Sequence, residues 1–145
     1  MVSLKKFMTE KGYMRIPLKR TKTNHFEVFA KINGIQGRFI LDTGASSTCV
    51  GFDSAALFKL SPEETEVKAS GAGARGMETQ IAKKNLFSLN NWKKKNIPII
   101  LFNMVHVNAA LAEFNTIPVN GIIGADILKK GKAIIDYDKK CLYMK

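Results

Sequence analysis

Between residues 24 and 43 apolar and polar side chains alternate. Phe26, Val28, Ala30 and Ile32 fall on one face and Glu27 and Lys31 on the other, the period-two pattern of a strand with a buried face. Asn33-Gly34 follows, a pair suited to a type I′ hairpin turn, whose two central residues both need positive φ. A second strand is predicted from Ile35 to Leu41, ending on Asp42-Thr43-Gly44. Further on, the stretch FDSAALFKL predicts a short helix from near Asp53, with Ser61-Pro62 ending it or opening the next turn. Residues 64–70 suit an exposed strand, and 77–89 fit strand or helix equally on period alone. Residues 97–104, IPIILFNM, read as a buried strand, followed by a mixed stretch to Asn115. Residues 119–131 predict a strand, a turn and a short helix closed by Gly131, and a last hairpin turns around Asp138-Lys139-Lys140. Strands dominate, with no internal repeat or low-complexity tract.

The chain has 145 residues, the size of one domain, and ordinary apolar and charged shares of 46% and 24%. No stretch approaches the ~20 apolar residues that span a bilayer, and the first residues lack the apolar run of a signal peptide. The expectation is a cytoplasmic protein with no membrane contact. Cys49 and Cys141 are the only cysteines and have only His25 and His106 as companions, so neither a disulfide framework nor a metal site is predicted. The formal charge of +11 is uneven: seven Lys and Arg stand against Glu10 alone in the first 22 residues. That divides the chain into a basic N-terminal arm, 1–22, and a domain, 23–145. Lys93, Lys94 and Lys95 form a second run beside Trp92. A solvated surface is the simpler account of both runs, ahead of a nucleic-acid or acidic-partner patch.

The stretch GAGARG, residues 71–76, matches the dinucleotide fingerprint G-x-G-x-x-G. That fingerprint needs a buried apolar strand before it and an acid about 20 residues on, to hold the ribose. EETEVKAS precedes it, and no Asp or Glu occurs from Thr79 to Ala112. Gly76 is followed by Met77 rather than by Lys, which removes the P-loop reading as well. What remains is a glycine-rich loop between strands, the composition of a mobile hairpin tip.

In FILDTGASS an acid directly follows an apolar strand. A lone Asp-Thr-Gly is also what a tight turn needs, since Asp and Thr cap backbone N–H groups and Gly tolerates positive φ. The wider pattern adds to this. Phe39 to Ser46 resembles the active-site signature of the retropepsin-like aspartic proteases, the single-domain relatives of retroviral proteases and pepsin. Gly71 to Gly76 falls where that family has its flap, and Ile122-Ile123-Gly124 resembles its motif of two apolar residues and a glycine. The resemblance spans roughly residues 24–144. It implies an all-β, barrel-like domain with one or two short helices and a glycine-rich flap hairpin, acting as a homodimer.

By this resemblance, Asp42, Thr43 and Gly44 are catalytic. Ala45, the flap residues Gly71, Ala72 and Gly73, and Ile122 and Ile123 contact a peptide substrate, without metal or cofactor. Peptide hydrolysis by carboxylates needs a pair, one taking a proton from water and one donating. The chain has one Asp-Thr-Gly, and Asp53, Asp126, Asp136 and Asp138 lack the flanking Thr-Gly, so a two-fold axis supplies the second carboxylate most simply. Ala45 stands where pepsin-like enzymes carry Ser or Thr; loss of that hydroxyl donor is expected to extend activity towards neutral pH. Ala125 stands where retroviral enzymes have Arg, so the dimer is expected to be held differently, and Asp126 is expected to cap the short helix. Cys49, Cys141 and Trp92 are expected to be packing residues. The alternative function is a non-proteolytic dimeric peptide-binding or assembly module with the retropepsin fold, contacting acidic partners or nucleic acid through the basic arm.

Overall fold

A computed structural model describes residues 2–64 and 78–145. In chain order the elements are α1 (Leu4–Glu10), β1 (Met14–Pro17), β2 (Lys19–Arg20), β3 (Phe26–Ile32), β4 (Ile35–Leu41), β5 (Cys49–Gly51) and β6 (Pro62–Glu64). After the undescribed stretch come β7 (Gln80–Leu89), β8 (Trp92–Phe102), α2 (Val105–Ala112), β9 (Gly121–Ile123), α3 (Ala125–Lys130), β10 (Ile134–Asp136) and β11 (Cys141–Met144). Gly71 to Gly76, the expected flap tip, lies outside the described residues, as does most of the strand expected over 64–70.

The hairpin of β3 and β4 forms as the alternation predicts, with Ile32 facing Ile35 across the turn. Asn33 and Gly34 both take positive φ, 53° and 84°. Asn33 also ties the tip to the next layer. Its side chain donates to the Phe58 carbonyl and to Asn85 Oδ1, both at 2.9 Å, and accepts from Leu86 N at 3.0 Å. Glu27, on the polar side of the alternation, is nonetheless buried, and an ion pair with Arg38 on the neighbouring strand compensates its charge.

Strand order in the larger sheet runs β2-β3-β4-β9-β5-β8-β7-β6, and an additional β3–β7 pairing closes six of these strands into a barrel. Phe39, Phe58 and Phe87 fill it, with Phe39 centroids 6.0 Å from Phe58 and 6.4 Å from Phe87. Within the ambiguous 77–89 region, Gln80–Leu89 is strand: β7 contributes buried Ala82, Phe87 and Leu89 to the core. A separate three-stranded sheet, β1-β11-β10, joins residues near both ends of the chain. Met8 of α1 packs there on Cys141 and Tyr143.

Between Asp53 and Leu60 the expected helix does not form. A 3-10 turn covers Phe52–Ser54 with no side-chain cap, and Lys59 adopts a φ of 55°, which ends any helix. Burial of Phe58 in the barrel sets this path, and Pro62 opens the edge strand β6, a position that tolerates the missing N–H. Conversely, the mixed stretch before Asn115 contains α2; its N-cap, Met104, has no side-chain capping bond, and Asn103 Oδ1 just before it accepts from Val105 N at 2.9 Å. Trp92 is buried in the core, which leaves no face for a base to stack on.

β9 lies between β4 and β5, parallel to the first and antiparallel to the second. A Cβ on Gly121 would overlap the Cys49 carbonyl and sit 3.0 Å from the Phe39 ring. Gly121→Ala is therefore expected to lower stability by about 3 kcal/mol, the upper range for overpacking a rigid site. Urea denaturation measures this; a loss under about 1 kcal/mol would mean that β9 has room to move.

Candidate active site

Asp42 stands at the end of β4, where the chain leaves the sheet. Its N–H donates to the Ile123 carbonyl at 2.9 Å, which fixes its backbone to β9. Its Oδ1 accepts from Gly44 N at 2.8 Å, and Ala45 N donates to the Asp42 carbonyl at 3.2 Å. The carboxylate is thereby oriented by its own turn, the role that the Asp-Thr-Gly spacing permits. Asp42 is half-buried, Thr43 and Gly44 are exposed, and Ala45 is buried.

The far side of the loop is held from β9 and α3. Ala125 N donates to the Ala45 carbonyl at 2.7 Å. Gly124 N donates to Thr48 Oγ1 at 3.0 Å, and that hydroxyl donates to Asp126 Oδ1 at 2.8 Å. Thr48 is fully buried, so its one hydroxyl satisfies a backbone donor and a carboxylate at once. A Cβ at Gly124 would come within 2.7 Å of the Ala45 carbonyl oxygen and 2.8 Å of that of Ser47. Glycine is required there by close approach. Asp126 lies inside the first turn of α3 rather than at its cap, Gly124, and its carboxylate also accepts from Ile127 N at 2.8 Å.

A cleft of about 530 Å³ opens beside Asp42. Ile40 and Ile122 form its floor, and α2 with the residues after it forms a wall through His106, Val107, Ala110, Leu111 and Phe114. The turn Lys22 to His25 forms the rim. Of the residues expected to touch substrate, Ile122 lines this cleft. Ile123, the next residue on the strand, faces the opposite way into the barrel core, fully buried. Ala45 packs beneath the cleft floor in a cluster with Ile40, Cys49 and Ile122. Gly71, Ala72 and Gly73 lie outside the described residues. The wall and the rim are the parts that sequence reading missed. The rim had a weak signal: Thr21, Thr23 and Asn24 are turn formers, and Asn24 does adopt positive φ.

Cys49 is buried behind the loop, and its thiol is pushed up to about 12, first by burial and then by the negative charges of Asp126 and Asp42. It stays a protonated thiol at neutral pH, which fits a packing residue and not a reactive one. Among the described residues no group of three His, Cys, Asp or Glu side chains is arranged to hold a metal ion.

An acid on a Gly-flanked turn, oriented by its own loop amides beside an apolar cleft, inside a closed barrel with one strand threaded between the two that flank the acid, defines an acid-protease-like domain. The profile of the aspartyl protease family matches residues 28–127, and the chain belongs to that family. Among solved structures, a retropepsin-like aspartic protease from Rickettsia conorii superposes with a TM-score of 0.61 at 20% identity, covering 92% of this chain and 90% of that one. EIAV protease in complex with the inhibitor HBY-793 follows at 0.56 and 20% identity, covering 81% of this chain and 93% of its own. The retroviral protease-like domain of Ddi1 from Leishmania major gives 0.54 at 16% identity, covering 82% and 86%. The fold is retropepsin-like. No curated protein sequence matches the chain.

Two outcomes follow from this geometry. Thr48→Val removes the bridge between Gly124 and Asp126 and is expected to cost about 2 kcal/mol, while Thr48→Ser retains most of it, as read by denaturant midpoints. Cys49 in the folded protein is expected to resist alkylation by iodoacetamide at pH 8 and to react on unfolding; rapid labelling of the native thiol would contradict its burial and raised pKa.

Proposed function

We propose that the protein is an aspartic endopeptidase in which two copies of Asp42, brought together by a homodimer, activate a water to cleave a peptide bond. The observation that carries this reading is the placement of Asp42: half-buried at the mouth of an apolar cleft, held through Gly44 and Ile123, with Thr43 and Gly44 exposed beside it. One chain presents one such carboxylate. Pairing across a two-fold axis at the exposed Thr43-Gly44 supplies the second and covers the turn.

In that pair two carboxyls at close range share a proton. The ionised member takes a proton from water as it attacks the scissile carbonyl, and the protonated member donates to the carbonyl oxygen. Thr43 would join the two loops across the axis, and Gly44 would leave space for the substrate backbone. The Gly71–Gly76 segment would close over an extended peptide, with Gly71, Ala72 and Gly73 against its main chain. Two buried, unpaired thiols suit a reducing, cytoplasmic setting for the enzyme.

Digestion of an unbiased peptide library from pH 4 to 7.5 tests this directly. Wild type is expected to cut and Asp42→Asn to lose at least about a thousandfold in rate, as expected when an essential proton-transfer group is removed. Sedimentation is expected to give twice the 16.1 kDa chain mass. If wild type cuts nothing at any pH, the chain is better regarded as a dimeric binding module. Ala45→Ser is expected to shift the acidic limb of the rate profile to lower pH, because a hydroxyl donor stabilises the charged form of the pair; an unchanged profile would remove Ala45 from any account of the pH range.

A further inference from the structure

The cleft beside Asp42 is lined by more basic than acidic side chains among the described residues. Lys22, His25 and His106 line it, and among the described residues Asp42 is the one acid in its lining. Lys22 and His25 come from the turn joining β2 to β3, and His106 comes from the first turn of α2, so the bases approach from two separate elements. Between them the surface is apolar, with Ile40, Ile122 and Leu111 buried.

The β2–β3 turn is fixed rather than loose. Thr21 N donates to the His25 carbonyl at 2.8 Å, and Asn24 N donates to the Thr21 carbonyl at 3.0 Å. Thr23 Oγ1 sits 2.7 Å from both His25 Nδ1 and Thr21 Oγ1, which holds the imidazole by one edge. When the Thr23 hydroxyl donates to Nδ1, Nε2 carries the ring proton and is a hydrogen-bond donor even without net charge. Lysine adds a full positive charge on a flexible stem. Apolar floor and basic rim together match a side chain with an apolar stem and an anionic end.

We infer that this cleft selects peptides with an acidic side chain, glutamate best, within a residue or two of the cleaved bond, its carboxylate held by Lys22, His25 and His106. The inference rests on the protease reading for what happens to the peptide, but the preference itself is a property of binding. The +11 chain attracts any acidic peptide over long range, so the local effect must be separated from the global one. A local contact depends on which lysine is changed; a long-range field depends only on net charge.

The experiment uses full-length protein and three non-cleavable peptides, each with a reduced bond in place of the scissile amide and differing only by Glu, Gln or Lys at one flanking position, each flanking position being scanned in turn. Fluorescence anisotropy gives their affinities for wild type, Lys22→Glu, His106→Gln and Lys94→Glu, the last an exposed lysine outside the cleft lining. At the best position wild type is expected to bind the Glu peptide about fivefold tighter than the Gln peptide, the scale of a rim-exposed charge pair. Lys22→Glu is expected to reverse the order in favour of Lys, His106→Gln to halve the preference, and Lys94→Glu to leave the order intact. Equal affinity for Glu and Gln at every position, equal effects of Lys22→Glu and Lys94→Glu, or no binding of any peptide would each overturn the inference. Library digestion run alongside keeps the two readings apart. Cleavage without charge preference retains the protease and rejects the acidic site, whereas the charge order without cleavage retains the site and rejects the protease.

Discussion

The position of Asp42 depends on how tightly one short strand fits between two others. β4 and β5 are consecutive in the chain yet not neighbours in the sheet, because Gly121-Ile122-Ile123 lies between them. The 42–48 connection must therefore bridge the width of a strand and pass over its end. Ile122 pairs with Ile40 on one side and Cys49 on the other, so a slip in either register would turn Ile122 from the cleft into the barrel. Asn120 locks the entry: its Oδ1 accepts from Arg38 N at 2.9 Å, and its carbonyl accepts from Gly51 N at 3.0 Å. Glycines at 121 and 124 are what let the backbones come this close. The carboxylate is thus placed by three strands and a helix start, although it sits on a connecting loop.

The same packing separates the acids. Asp126 and Asp42 both lie near enough to Cys49 for their charges to act on its thiol. Its carboxylate, however, is occupied by the Thr48 hydroxyl and the Ile127 amide. An acid so engaged serves as an acceptor that steadies the loop from behind. Asp42 has one oxygen engaged by Gly44 N, its partner within the turn, and lines the open cleft. The difference between a structural and a chemically available carboxylate here is which hydrogen bonds reach it, and neither residue needs an unusual composition around it.

Those elements that local rules govern were legible in the sequence. Alternation predicted β3, whose Phe26, Val28, Ala30 and Ile32 are buried, β4 takes the expected bounds Ile35–Leu41, and Asn33-Gly34 predicted the turn because few other pairs accept two positive φ values. The Ile-Ile-Gly segment and the helix closed at Gly131 were legible for the same reason. The α2 helix was not. VHVNAALA carries apolar residues nearly all round, so no stripe marks it, and its face is decided by the cleft it walls. The 53–60 region failed in the opposite sense: its residues tolerate a helix, but burial of Phe58 against Gly37 pulls the chain away from one. The cleft itself was invisible, since Lys22 and His25 on one turn lie far in sequence from His106 and Phe114 and meet them only through the barrel.

This division has a consequence for how specificity relates to chemistry. The groups that orient Asp42 come from residues 42–51 and 120–127, segments that cannot change shape without opening the sheet. The cleft walls come from the β2–β3 turn and from the β8–β9 connection. Substituting the walls therefore changes which side chains fit while leaving the acid's hydrogen bonds in place. A charged rim is the least expensive change of this kind, because Lys22 and His25 are exposed on a turn whose form is set by Thr21, Thr23 and the Asn24 backbone. The rim's basic character is accordingly separable from the placement of the acid, and it bears on what enters the cleft or on the solubility of a cationic surface. Two bases from one turn and a third from α2, converging on an apolar floor, favour the former, since solubility places no condition on where charges meet.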